Sequence, residues 1–273
     1  MEFHAQAPHS ASRMPTETRG PTTLRSVRAG AIERPVRLPD EDPDLFFGLS
    51  EDSLTDARAR ALAPVLRLDP GPWDPRSAGI RDPSGCLGML VLDGLLLHSV
   101  VVGDEPRSEL LGAGDIITPW EQDEGSASVP FESHWHVAHR GRIAVLDSRF
   151  TAQACRWPQV VAAVVGRATR RSRRLALQLA IADLRRVDDR LMLFFWHMAD
   201  RWGRVRPDGV VVPLPVTHDV LAQLVCVQRP TVTSGLRRLS EAGQIQRLRD
   251  KTWLLSPEPP PAPTRSLRAR LAA

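Results

Sequence analysis

The stretch from Thr217 to Leu239 constrains this chain more than any other, because it packs two short amphipathic helices around a very tight turn. The first, Thr217 to Val225, opens on a threonine suited to cap free backbone N–H groups, and its apolar residues are Val220, Leu221, Leu224 and Val225. The second, from about Gln228 to Ser240, repeats Val232, Leu236 and Leu239 at steps of four and three, with only Cys226, Val227 and Gln228 joining the two. Helices so joined, with a polar outer face on the second, predict a helix-turn-helix. That face carries Gln228, Arg229, Thr231, Thr233, Ser234 and Arg237. Arginine pairs bidentately with guanine, hydroxyls reach bases or phosphates, and a helix N-terminus aims backbone N–H groups at phosphate. Beyond Ala242-Gly243, Gln244 to Ser256 reads as two short strands around Arg249-Asp250, with Arg247, Arg249 and Lys251 adding positive charge. The competing reading is a helical hairpin in an unrelated α/β protein, its polar face merely solvated. Two helices, a tight turn and a basic wing in that order favour a DNA reader.

Upstream the texture differs. Residues 1–44 are rich in Pro, Arg, Ser and Thr without periodicity and are expected to form a disordered arm, as is the tail 257–273. Leu54 to Leu66 suits a short helix capped by Ser53. From about Leu66 to Asp147, short apolar runs alternate with Gly, Pro and Asp, which predicts a small antiparallel sandwich or roll. Asp93-Gly94 between two such runs is the strongest short hairpin signal, and Gly103-Asp104 and Gly112 to Asp115 mark further turns.

At Pro158 the period becomes helical. Val161, Val165, Ala168, Ser172, Leu175, Leu179 and Ala182 recur at alternating steps of four and three, the spacing of one helical seam against another. Periodicity alone leaves two partners open, the helix's own domain or the same helix of a second copy. Its flanks carry Arg167, Arg170, Arg171, Arg173 and Arg174. A second helix, Val187 to Trp202, turns Leu191, Phe195, Met198 and Trp202 to a core, and Arg206 to Gly209 ends it before a strand at Val210 to Leu214.

Bulk charge decides little. The pI is near 9.7 but the formal net charge is only +4, and Lys251 is the only lysine, a bias that coding composition also produces. Cys86, Cys155 and Cys226 are scattered and fit neither a disulfide frame nor a metal site. With no signal-peptide pattern at the N-terminus and no membrane-spanning run, the expected compartment is cytoplasmic. There is no nucleophile elbow, phosphate loop or paired-ligand helix, so no enzyme and no cofactor is expected.

The sequence from Thr217 to Val225, followed by Arg229-Pro230-Thr231-Val232 and Leu236 to Leu239, resembles the helix-turn-helix of the Crp/Fnr regulators, the cyclic-AMP receptor protein family. Leu110 to Ile117 resembles that family's roll turn, and the order of segments is similar from about Leu66 to Ser256. The resemblance implies an α+β chain: a cyclic-nucleotide-binding-like antiparallel β-roll sensor (45–157), a dimerisation helix (158–186) with a hinge near Arg186 to Asp188, and a winged helix-turn-helix (187–256). It implies a sequence-specific transcription regulator whose partners are a double-stranded DNA operator, a second copy of itself and RNA polymerase, with the effector unidentified. Position by position, Arg229 falls on the base-reading arginine, Thr217 and Thr231 on phosphate contacts, and His218 on a basic position. Pro230 replaces a base-contacting glutamate and Ser234 an arginine, Cys226 stands where a glycine makes the turn, and Gln228 is a mediocre cap. The operator should therefore differ from the family's best-known one. In the sensor, Trp120-Glu121 stands where the family has Gly-Glu, and Phe131-Glu132 where an Arg-hydroxyl pair grips the cyclic phosphate. Cyclic AMP is thus not expected to control this chain. His134 and His136 share a strand face, as metal ligands do, but lack an evident partner beyond Glu132. A ligand-independent architectural DNA-binding protein is the alternative reading.

Overall fold

The computed structural model describes residues 32–80, 83–103, 105–121 and 128–260. Residues 1–31 and 261–273 of the expected arm and tail lie outside the described residues. Residues 32–44 are a correction to that arm, since they are folded. Strand β1 (Ile32–Arg37) pairs antiparallel with β2 (Leu62–Leu68), and the short helix α1 (Leu38–Glu41) and a 3-10 turn (Pro43–Phe46) follow it. Leu38, Leu45 and Phe46 are buried and anchor this segment, which the surrounding Pro and Arg had disguised as a tail. Helix α2 (Glu51–Arg60) starts earlier than expected, because Ser50 rather than Ser53 caps it, accepting from the Ser53 N–H at 3.3 Å. It ends at Arg60, and the residues expected as its last turns belong to β2.

The roll continues through β3 (Gly71–Trp73), β4 (Gly88–Val102), β5 (Glu105–Gly112), β6 (Ile116–Ile117) and β7 (Glu132–Leu146). The sheet order is β1-β2-β7-β4-β5, with β3 on β7 and β6 on β4, antiparallel throughout. The hairpin expected at Asp93-Gly94 is absent: β4 runs straight through it, and the register against β7 slips there. Gly94 has φ +89°, and a Cβ on it would lie 2.5 Å from the Cα of Gly141 on β7. It is a bulge where two backbones touch, a second use of glycine in strands. The true turn joins β4 to β5 around Gly103. Inside the roll pack Trp73, Met89, Leu96, Leu111, Trp135 and Val137.

After α3 (Ser148–Ala154), capped by Asp147, comes α4 (Pro158–Ala182). Its buried side toward its own chain is Val160, Val164, Arg167 and Ile181, with Arg171, Arg174 and Gln178 partly buried along the same line. The expected seam lies beside that line. Val161, Leu175 and Ala182 are half-buried, Ala168 is exposed, and Val165 and Leu179 are 56% and 66% exposed.

The C-terminal region comprises α5 (Val187–Trp202), β8 (Arg204–Arg206), β9 (Gly209–Val212), α6 (His218–Leu224), α7 (Arg229–Glu241), β10 (Ile245–Arg247) and β11 (Trp253–Leu255). Its sheet has the order β10-β11-β9-β8, and β8 is an addition to the sequence reading. Leu191, Phe194, Phe195 and Met198 of α5 form its core with Leu221, Leu224, Val232, Leu236 and Trp253. Burial of each such side chain contributes about 1.5–3 kcal/mol. The same core reaches Leu95, Leu97 and Leu110 on the outer face of β4 and β5, so roll and C-terminal region share apolar packing. No helix among the described residues is long and apolar enough to cross a membrane.

Candidate DNA-binding surface

Local rules build α6 and α7. Thr217 caps α6, its hydroxyl accepting from the Val220 N–H at 3.3 Å. The turn needs one residue with positive φ, and Cys226 supplies it at φ 55°, an uncommon conformation for a residue with a Cβ. Gln228 caps α7 without a side-chain bond, and Pro230 sits in the first turn, where a missing N–H breaks no internal hydrogen bond. Helix α7 buries Val232, Gly235, Leu236 and Leu239. Gly235 allows α5 to approach: a Cβ there would come 2.7 Å from Leu191 Cδ1. Arg238 clamps the same contact, donating to both carboxylate oxygens of Asp188 at 2.9 and 2.6 Å. Those hydrogen bonds hold the Asp188 carboxyl below its usual range despite some burial.

The opposite side of α7 is open. Gln228, Arg229, Pro230, Thr233, Ser234 and Arg237 are exposed and Thr231 is half-buried, so these expected site residues lie together near the helix N-terminus or along its outer face. Thr217 is exposed at the start of α6 and His218 half-buried beside it. The His218 ring nitrogen Nδ1 lies 3.0 Å from Thr233 Oγ1, and Thr233 donates back to the Arg229 carbonyl at 3.2 Å. Burial, then the charges of Arg247 and Arg229, push His218 below the usual histidine range. Arg229 Nε approaches Asp219 at 3.5 Å, with both side chains largely exposed, an ion pair of little energetic weight.

Between α7 and the wing lies a groove of about 670 Å³, lined by His218, Thr233, Ser234, Arg237, Arg247 and Trp253 among others. The Arg247 guanidinium stands 4.8 Å over the Trp253 ring, and Trp253 Nε1 donates to the Leu214 carbonyl at 3.1 Å. The wing cation is thus seated on an indole that the core fixes. Sequence reasoning found the charge of Arg247 but not this seat, and it missed Asp188, Arg238 and Gly235, whose roles depend on α5.

The reader is also tied to the sensor. Gln178 of α4 donates to the carbonyls of Ser108 on β5 at 2.7 Å and Leu224 on α6 at 3.2 Å. Arg190 of α5 donates to the carbonyl of Leu184 and, at 3.1 Å, to that of Cys226 in the turn. Near Gln178 a cavity of about 290 Å³ opens among His98, Glu109, Arg171, Leu175 and Leu224. Burial would raise the Glu109 carboxyl, but hydrogen bonds from His98 and Arg171 outweigh it and hold the group at about 2. His98 also stacks on Trp135, centroids 4.2 Å apart.

In the roll, Trp120 packs against the interior cluster. The Glu121 side chain and residues 122–127 lie outside the described residues. Glu132 corrects one expectation, because its side chain is 74% exposed and bonds His134 at 3.0 Å instead of facing a pocket. Among the described residues no group of three His, Cys, Asp or Glu side chains is arranged to hold a metal.

A capped helix pair with a basic wing, its helices packed against a roll, is the arrangement of a DNA-binding transcription regulator. Residues 189–258 match the family of Crp-like helix-turn-helix domains. Among solved structures, a mutant of CooA from Carboxydothermus hydrogenoformans is similar at 16% identity and TM-score 0.52, over 82% of this chain and 93% of that one. A cyclic nucleotide-binding domain containing protein from Listeria monocytogenes EGD-e is similar at 13% identity and TM-score 0.50, over 61% of this chain and 78% of that one. No curated protein matches in sequence. The chain carries a Crp-like helix-turn-helix domain and has the fold of the Crp/Fnr regulators, a family of transcription regulators and not of enzymes.

Proposed function

We propose that this chain acts as a homodimer that reads a pseudo-palindromic operator through α7. The observation that carries the reading is the exposed polar face of α7 on a Crp-like domain, with Arg229, Thr233, Ser234 and Arg237 turned outward. Arg229 reads a base edge, and Thr217, Gln228, Thr231 and His218 contact the backbone around it. Pro230 and Ser234, lacking long donors, make base readout narrower and leave more to DNA shape. The dimer forms along Val161, Val165, Ala168, Leu175, Leu179 and Ala182, setting two α7 helices roughly 34 Å apart for half-sites one helical turn apart. RNA polymerase is the partner through which such a bound dimer acts on transcription. On this reading the sensor spans 32–157, since β1 and α1 pack into the roll, the dimer helix 158–186 and the reader 187–256.

Cyclic AMP does not control this regulator. The support is chemical: Trp120 packs against the roll interior, and the acid at the cavity by α4 is Glu109, already bonded to His98 and Arg171. A cyclic phosphate there meets the Glu109 carboxylate, which already holds the Arg171 guanidinium, and the other lining cation, Arg107, is exposed. Genomic footprinting tests the first part: protection at a few two-fold sites is expected, and uniform coverage would refute it. Titration with cyclic AMP tests the second: binding that also tightens operator affinity would overturn it.

A further inference from the structure

Five arginines, Arg167, Arg170, Arg171, Arg173 and Arg174, crowd eight consecutive positions of α4. Like charges three and four apart on a helix repel. Three of them are offset, Arg167 by Asp42, Arg171 by Glu109 and Arg174 by Asp115. Arg170 and Arg173 are exposed and have no ion pair among the described residues. Both line a groove of about 530 Å³ between α4 and α5, together with Arg167, Arg174 and Arg201. That volume is within the range of small-ligand sites.

The floor of the groove is short of negative charge. Arg174 and Arg201 share the single carboxylate of Asp115, which is 1% exposed. The Arg201 side chain is only 9% exposed, and its Nε has no hydrogen-bond partner among the described residues. Burial and then Arg201 push the neighbouring His197 down to about 4, so this histidine adds no charge at neutral pH. Asp44 and Asp200 also line the groove. They oppose a broad anionic surface such as DNA, while a compact anion can sit on the guanidinium groups directly.

We propose that the groove between α4 and α5 binds a small oligophosphate, free or as the diphosphate of a nucleotide, through Arg170, Arg173 and Arg201. Guanidinium forks match phosphate oxygens in pairs, and two such groups with no internal partner lose no existing bond on binding. An occupant joins α4 to the first helix of the reader across the hinge, so its effect reaches the orientation of α7.

The test is calorimetric titration of the full chain with inorganic pyrophosphate, and separately with ADP. Arg170→Ala/Arg173→Ala removes only exposed side chains, and its unchanged melting temperature verifies the fold. Pyrophosphate should bind, and the double variant should weaken it at least about tenfold, the loss of two charge-assisted contacts. Tighter binding of ADP than of pyrophosphate supports a nucleotide as the source, and equal binding supports the free anion. Absence of heat up to about 10 mM, affinity too weak for a built site, overturns the proposal. So does equal binding by the double variant. A double variant that loses affinity for all DNA, with pyrophosphate competing, overturns it in favour of a DNA-backbone contact.

Discussion

Helices α4 and α7 are both amphipathic, but in opposite senses. Helix α7 buries Val232, Leu236 and Leu239 and turns Arg229, Ser234 and Arg237 outward. Helix α4 turns Arg167, Arg171, Arg174 and Gln178 toward its own chain and leaves Val165, Leu177 and Leu179 exposed. The first pattern is that of a helix anchored by the hydrophobic effect with a polar face left for a ligand. The second leaves large apolar side chains in water, where they gain nothing. The pairing with a second α4 proposed above would cover that exposed apolar line. The charged inner face of α4 meanwhile binds the sensor through ion pairs with Asp42, Glu109 and Asp115, while apolar packing joins sensor and reader directly.

The largest effect should come from cutting into the anchored face. Leu239→Ala removes a side chain only 4% exposed, and should lower unfolding free energy by about 2–5 kcal/mol. Urea denaturation reads this directly. A change under about 0.5 kcal/mol would mean that α7 is not held as the contrast requires.

Next is the inverted face. Val165→Asp/Leu179→Asp changes two mostly exposed residues, so a single chain should keep its secondary structure. Self-association should weaken by at least about a hundredfold, near 2.7 kcal/mol, since carboxylates would meet across the seam. Sedimentation equilibrium measures it. A wild-type protein that is monomeric and binds DNA as a monomer would break the comparison.

Arg229→Ala probes the outer face of α7. If the residue reads guanine, the loss should be about 1–3 kcal/mol on the best operator and much less on random DNA. Arg247→Ala, at the wing, should weaken both DNAs alike and flatten the salt dependence. Equal losses for Arg229→Ala on both would reduce it to a backbone contact.

What was legible in the sequence divides along the same line. Helices α6 and α7 were readable because both rest on local spacing and a turn of fixed length, and α6 on a threonine cap as well. The roll was readable as a class but not in detail. Asp93-Gly94 has the composition of a hairpin, and only Gly141, far along the chain, makes it a bulge. Strand β1 was hidden because its partner β2 follows α2, and no local period marks it. In α4 the seam was visible, but its exposure was not, since arginines seldom form the buried side of a helix unless carboxylates such as Asp42, Glu109 and Asp115 meet them. Those acids lie on turns and strands that periodicity does not connect to α4.

A buried histidine beside arginines should also give the protein a pH dependence. His197 of α5 is buried near Arg201 and Arg174, and burial with the Arg201 charge lowers it to about 4 from the usual 6.5. Above pH 6.5 the imidazole is neutral in both folded and unfolded chains and contributes nothing to the balance. Between 6.5 and about 4 the unfolded chain binds a proton that the folded chain refuses, so stability must fall as pH falls. At pH 5.5 the loss from this group is about 1 kcal/mol, because one unit of pH on one proton is worth about 1.4. His218 is also lowered and adds a slope of the same sign, and Glu109 acts only in more acid solution, toward about 2. The informative quantity is therefore the difference between proteins. His197→Gln keeps a polar side chain at this place but removes the titration, so its unfolding free energy should decline less between pH 7 and 5.5. Chemical denaturation at the two pH values gives that difference, and parallel slopes for wild type and variant would mean that His197 takes up its proton in the folded chain as readily as in the unfolded one.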